Sequence, residues 1–225
     1  MTSTNDPHRG QPVLHMGPAP SAARLTLILV HGRGASAEDV LSLAAEFGTT
    51  DVAYLAPQAA DHTWYPYSFL SPIRDNEPGI SSGLGVIAGI IGELAAQQIP
   101  PARIGLLGFS QGACLSLEFA ARHAQRYAAI VGLSGGLIGP PGTPRNYPGS
   151  LGGTPVFLGC SDSDAHIPLA RVQESAEVCR RLGGAVDERI YPRMGHTVNE
   201  DEIAAVSALL FSPDSHVGNQ ASSII

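Results

Sequence analysis

Apolar and polar positions along the chain follow two rhythms in turn. Short, unbroken apolar runs recur between longer stretches in which apolar residues return every three or four positions. The first run, LTLILV at 25–30, has no polar face, as expected of a strand covered on both sides. It breaks at Gly32-Arg33-Gly34. Ser36, with Asp39 three residues on, then predicts a capped helix that runs to about Phe47 and stops at Gly48. Further strands are predicted over 51–56, 103–107, 128–133, 155–159 and 186–191. Helices are predicted from Ile80 or Ser81 to 98 and over 111–123, 168–182 and 199–211. Residues 57–79 and 135–154 read as irregular loops, the second rich in Gly and Pro. Residues 1–23 read as a lead-in with an edge strand, 24–212 as one domain, and 213–225 as a polar tail. Strand–helix alternation with apolar strands predicts an α/β fold with a mostly parallel central sheet and helices on both faces. In such folds ligands bind beyond the carboxyl ends of the strands, so chemistry is sought at strand-to-helix turns.

Composition narrows the function classes. A chain of 225 residues buries on the order of 70% of its unfolded surface and needs no staples. With 44% apolar and 15% charged residues, it is neither disordered nor a coiled coil. Thirteen basic and 20 acidic residues give a net charge of −7, and no basic stripe is present to grip nucleic acid. The longest apolar stretch, 83–92, is short and Gly-rich, so no membrane partner is expected. Three cysteines are too few for a disulfide framework, and no secretory pattern opens the sequence; both point to the cytoplasm.

G-x-S-x-G occurs three times, as GISSG at 79–83, GFSQG at 108–112 and GLSGG at 132–136. In a chain this rich in Gly and Ser the pattern is cheap, and structural context must choose. A nucleophile elbow needs a strand running in and a helix running out. GISSG follows Arg74-Asp75-Asn76-Glu77-Pro78, which is no strand, so Ser81 reads as a helix cap. GLSGG runs into Leu137-Ile138-Gly139-Pro140-Pro141, which starts no helix. GFSQG alone has both neighbours, which makes Ser110 the candidate nucleophile.

A Ser nucleophile needs a base and an acid, and both follow in the order known for α/β-hydrolases. Strand 155–159 ends in Cys160-Ser161-Asp162-Ser163-Asp164, and strand 186–191 leads to Met194-Gly195-His196. Of the eight histidines, His196 has both the order and the location of a general base. His8, His15 and His216 lie in flanking segments, and His123 ends a helix. His62 belongs to the aromatic loop, and His166 follows the acid too closely to be a separately delivered base. His31 reads as structural, holding the loop that follows it. Asp162 and Asp164 both stand where the acid is needed, with Asp162 also suited to binding loop backbone. The D-x-D-x-H string is too weak a pattern for a metal, and no metal or cofactor is expected. Cys114 and Cys160 read as small packing residues. GLGVIA at 83–88 matches a dinucleotide fingerprint but lacks a preceding strand, so its glycines read as close helix packing.

The segments LILVHGRGAS at 27–36, IPPARIGLLGFSQGACLSLEFA at 99–120, DAHIP at 164–168 and YPRMGH at 191–196 together resemble the phospholipase/carboxylesterase family of small α/β-hydrolases. The resemblance spans nearly the whole chain and implies an α/β-hydrolase fold with little or no cap domain. It implies Ser110 as nucleophile, Asp164 as acid, His196 as base, and the backbone amides of Arg33 and Gln111 as oxyanion hole. The Arg33 side chain reads as solvated, or as a contact for an acidic substrate tail. HTWYPYSFL at 62–70 stands where thioesterase members carry a Trp-containing loop, but Tyr65-Pro66-Tyr67 departs from them toward the bacterial esterases. Trp64, Tyr65, Tyr67 and Phe69 are expected to wall the substrate pocket, with an aromatic plug over the core as the alternative. The expected function is hydrolysis of small, short-acyl carboxylic esters through an acyl-enzyme, by a monomer or homodimer. The alternative is an acyl-thioesterase or lysophospholipase. An NAD-dependent enzyme or a non-catalytic binding protein would lack a reactive Ser110.

Overall fold

The structure, a computed structural model, describes residues 6–211, so the tail at 213–225 lies outside the described residues. Seven strands form one sheet: β1 (Val13–Met16), β2 (Leu25–Val30), β3 (Val52–Pro57), β4 (Ile104–Phe109), β5 (Ala129–Leu133), β6 (Pro155–Ser161) and β7 (Ala185–Tyr191). Their order across the sheet is β1-β3-β2-β4-β5-β6-β7. β1 pairs antiparallel to β3 at the edge, and every other pair is parallel. The helices are α1 (Ala37–Ala45), α2 (Gly79–Ala96), α3 (Gln111–Arg122), α4 (Leu169–Arg181) and α5 (Glu200–Phe211).

Alternate side chains of each strand point to opposite faces, which divides the core in two. Leu27, Leu29, Tyr54 and Val131 pack with α1 and α5 on one face. Ile28, Val30, Leu106 and Leu158 pack with α2, α3 and α4 on the other. All six residues of β2 are buried, which explains its unbroken apolar run. This is the mostly parallel, two-sided sheet of an α/β-hydrolase. The longest excursions among the described residues, 58–78 and 134–154, are loops rather than a cap domain.

Ser36 caps α1 as its sequence predicts, with the reciprocal Ser36–Asp39 bonds both present. Three expectations are corrected: the role of Ser81, the packing of Gly85 and the ends of two strands. Ser81 is not a cap: it lies in the first turn of α2, where its N–H and Oγ both donate to the Glu77 carboxylate. α2 is also longer than its apolar run. Its 18 residues and mean hydropathy of 1.6 would suffice to cross a membrane, but Ile80, Ile87, Ile90 and Leu94 are buried in the core. Of the paired glycines in it, Gly83 packs closely, since a Cβ there would meet Leu115 at 2.8 Å. Gly85 does not; it faces open space. β4 and β6 each run two residues beyond the ends expected from sequence. Pairing of Phe109 with Leu133 and of Ser161 with Tyr191 carries both strands past glycines that interrupt the apolar pattern.

Candidate active site

β4 is the central strand, and Ser110 sits between its last residue and the first of α3. The Ser110 backbone has φ +54° and ψ −119°, a conformation that L-residues rarely adopt. Its N–H donates to the Leu133 carbonyl of β5 at 2.9 Å, and its carbonyl accepts from Cys114 N–H at 3.0 Å. The reversal from strand to helix leaves no room for side chains at the flanking glycines. A Cβ on Gly108 would lie 2.3 Å from the Gly112 carbonyl, and one on Gly112 would lie 2.0 Å from the Val30 oxygen.

The turns after β6 and β7 bring Asp164 and His196 to the same rim. His196 Nε2 lies 2.8 Å from Ser110 Oγ, and its Nδ1 lies 2.7 Å from Asp164 Oδ2. A carboxylate only accepts, so Nδ1 carries the proton and Nε2 is left to accept from the hydroxyl. Asp164 Oδ1 accepts from the N–H groups of His166 at 2.8 Å and Ile167 at 3.1 Å. Burial pushes the Asp164 carboxyl up, but the His196 bond and these two amides outweigh it, holding it below its ordinary value. Asp162 does not reach the imidazole. Its carboxylate accepts from Arg193 N–H at 2.8 Å, and Ser161 Oγ accepts from Gly195 N–H at 3.2 Å. The two turns are thereby tied to each other.

Beside Ser110 opens a cavity of about 500 Å³, walled by Tyr65, Tyr67, Phe69, Cys114, His166 and Ile167. Arg33 and Gln111 also border it. Among the described residues no protein acceptor pairs with the backbone N–H of either one. The strand-to-loop turn at Gly32 packs against Ser110: a Cβ on Gly32 would lie 3.4 Å from the Ser110 Cβ. Cys114 is on the cavity floor, but burial raises its thiol to about 12, which keeps it protonated.

Several side chains take places that sequence does not assign. Trp64 does not line the cavity. It is fully buried beneath it, its indole N–H donating to the His31 carbonyl at 3.0 Å, so here the plug reading applies. Tyr65 and Phe69 are wall residues, 2% and 6% exposed, whereas Tyr67 stands at the rim at 59%. The Arg33 side chain is exposed to solvent, and its guanidinium is engaged by loop carbonyls rather than free for an acidic substrate. It donates to the carbonyls of Pro66 at 2.8 Å and Tyr67 at 2.6 Å. The Gln111 carboxamide accepts from Trp64 N–H at 2.9 Å and donates to the Tyr65 carbonyl at 2.8 Å. Both side chains thus clamp the aromatic loop through its backbone. His31 holds its loop as expected, bonding Gly32 O at 2.7 Å and accepting from Ala59 N–H at 3.0 Å. His62 lies outside the cavity and bonds the Ala35 carbonyl at 2.9 Å. His8 is not a mere flanking residue: it is buried, with its ring against Trp64 and its Nε2 2.9 Å from the Trp64 carbonyl. His166 packs edge-on against His196, ring centres 4.8 Å apart.

The profile of the phospholipase/carboxylesterase family matches residues 17–211. The chain belongs to that family. It is a hydrolase of the esterase/thioesterase kind. Acyl-protein thioesterase 1 of Gibberella zeae is 27% identical over 223 residues, covering 86% of this chain and 92% of the relative. The solved phospholipase/carboxylesterase from Dyadobacter fermentans superposes with a TM-score of 0.87 at 37% identity, over 90% of this chain and 97% of that one. A carboxylesterase from Mesorhizobium loti shares the fold, with a TM-score of 0.70 at 20% identity over 91% of this chain and 100% of its own.

Proposed function

We propose that this chain is a serine carboxylesterase that hydrolyses small, short-acyl carboxylic esters through an acyl-enzyme on Ser110. The observation that carries the reading is the unbroken hydrogen-bond line Ser110–His196–Asp164, at 2.8 and 2.7 Å, opening onto one cavity. His196 takes the Ser110 proton as Oγ attacks the ester carbonyl, and Asp164 holds the imidazole and stabilises its protonated form. The carbonyl oxygen, negative in the tetrahedral intermediate, is received by the N–H groups of Arg33 and Gln111. The Gln111 amide heads α3 and adds the positive end of its dipole. The proton passes to the departing alcohol, and water then hydrolyses the acyl-enzyme by the same steps. Tyr65 and Phe69 close the cavity around the acyl chain, which favours short chains. The three buried, unpaired cysteines suit a reducing compartment, the cytoplasm.

The experiment is labelling with a fluorophosphonate, followed by mass mapping. A single adduct on Ser110 is expected, and its absence, or an adduct elsewhere, rejects the reading. Ser110→Ala should lose turnover by a factor on the order of 10⁴–10⁶ while remaining folded. The similarity to acyl-protein thioesterase 1 favours one second reading, an acyl-thioesterase on the same three residues. Comparing kcat/KM for a matched ester and thioester separates the two: a thioester preference of a hundredfold or so would replace the first reading with the second.

A further inference from the structure

His196 is shared by two cavities. On the flank away from Tyr65 and Phe69 lies a second one of about 410 Å³, lined by Ala35, Val40, Leu43, Phe109 and Val198 besides His196 itself. Phe109 packs on the imidazole from this side, ring centres 5.1 Å apart, while His166 packs on it from the other. The catalytic ring is therefore a partition with space on both sides. Neither Ser110 nor Arg33 nor Gln111 borders the second cavity.

We propose that this second cavity receives the alcohol arm of the ester, and that this arm is an apolar alkyl or aryl group. The inference rests on the esterase reading and deepens it. In acylation the bond from Ser110 Oγ to the carbonyl carbon forms, the bond from that carbon to the alcohol oxygen breaks, and the proton from Ser110 passes through His196 Nε2 to the departing oxygen. The carbonyl carbon, its oxygen and the acyl chain must stay with Ser110 and the two amides, in the first cavity. The one atom that has to meet His196 is the leaving oxygen, and the space beyond it on that side is the second cavity.

The wall chemistry sets the class of alcohol. Its apolar residues come from α1 and the loop before it, the end of β4 and the segment before α5. The two polar side chains that border it besides His196 and Thr197 are engaged elsewhere: His31 on Gly32 and Ala59, and Asp39 on Ser36. No cation lines it. A phosphate or carboxylate on the alcohol would find the Asp39 carboxylate and no arginine or lysine to offset it. The glycerophosphoryl arm of a lysophospholipid fits poorly for that reason.

The test compares two ester series on the wild-type protein and on Leu43→Trp and Val198→Trp. Both side chains are partly exposed, which lets the indole fill the cavity without entering the core. In the wild type, hexyl and benzyl acetate should be turned over with higher kcat/KM than methyl acetate. In each variant the hexyl-to-methyl acetate ratio should fall by about tenfold or more, while the methyl hexanoate-to-methyl acetate ratio stays within about twofold. Leu43→Ala, which enlarges the cavity, should raise the benzyl-to-methyl acetate ratio. A fall in the acyl ratio instead, or an alcohol ratio unmoved in all three variants, overturns the proposal. A wild type that takes the fluorophosphonate on Ser110 but does not distinguish hexyl from methyl acetate overturns it alone. A wild type unreactive to both removes the esterase reading with it.

Discussion

Two buried carboxylate groups beyond the ends of neighbouring strands have opposite fates. Asp164 is surrounded by donors: an imidazole N–H and two backbone N–H groups. It stays ionised well below neutrality and fixes the His196 tautomer. Asp164→Asn replaces the acceptor with an amide that can present a donor to Nδ1, forcing the proton onto Nε2. Turnover should fall on the order of 10⁴-fold with the melting temperature little changed, read by steady-state kinetics and thermal denaturation. Glu202 has fewer partners. One oxygen accepts from Asn199 N–H at 2.9 Å, while the other is buried with none. Desolvation raises this carboxyl from 4.5 to about 7, with the neighbouring Asp201 charge adding a little. The folded protein therefore holds a proton that the unfolded chain has released. Stability from this group is complete below about pH 4.5 and is lost as pH rises through 7. The gap between 4.5 and about 7 corresponds to on the order of 3 kcal/mol. Glu202→Gln keeps the reciprocal cap with Asn199 and removes the titration. It should melt close to the wild type at pH 5 and several degrees higher at pH 8; equal melting at both would refute the account.

At the scale of elements, the candidate site is a set of turns held by their neighbours. Gly108 and Gly112 permit the strand-to-helix reversal, and Asp162 and Ser161 bolt the β6 turn to the β7 turn. The 64–69 loop has no regular structure of its own. It is held by the side chains of Arg33 and Gln111, two residues that border the same cavity. Arg33→Ala leaves the residue-33 N–H in place but releases the carbonyls of Pro66 and Tyr67. KM for short esters should rise about tenfold with a smaller change in kcat, and amide exchange across 64–69 should quicken. Arg33→Lys should not restore it, because one ammonium lacks the planar fork that reaches both oxygens. Unchanged KM and exchange would show that the loop stands without this clamp.

Across the whole molecule, the second long loop is anchored by charges buried between helices. Glu118, 2% exposed in the middle of α3, accepts from Ile138 N–H at 3.0 Å, Arg122 at 2.7 Å and the Tyr147 hydroxyl. Arg145 lies 3.8 Å from the Glu118 oxygen that Ile138 N–H bonds, and pairs with Glu174 of α4 at 3.0 Å. Arg171, also on α4, donates to the carbonyls of Leu137 and Gly139 and lies over the Phe69 ring. Gly139 N–H in turn bonds the Phe69 carbonyl, so the network ends in the cavity wall. Glu118→Ala leaves Arg145 short of a counter-charge and Ile138 N–H without an acceptor. The expected loss is about 3–5 kcal/mol in denaturant unfolding. A loss under about 1 kcal/mol would mean that the loop is held by its apolar packing instead.

What the amino-acid sequence determined by itself is what local pattern encodes. Apolar runs marked the strands, the Ser36–Asp39 spacing marked a helix start, and glycines flanking Ser110 between a strand and a helix marked the sharp turn. The order of Ser110, Asp164 and His196 along the chain was legible because each follows a strand, and parallel strands deliver their carboxyl ends to one edge. Between Asp162 and Asp164, two residues apart on one turn, local pattern left both open and the family resemblance favoured Asp164; in the fold Asp164 meets the imidazole while Asp162 binds the Arg193 N–H. The Arg33 clamp, the burial of Trp64, the contact of His8 with it and the packing of His166 on His196 were decided by tertiary structure alone. All of them join residues tens of positions apart, and no periodicity or motif records which distant group a side chain will find when the sheet closes.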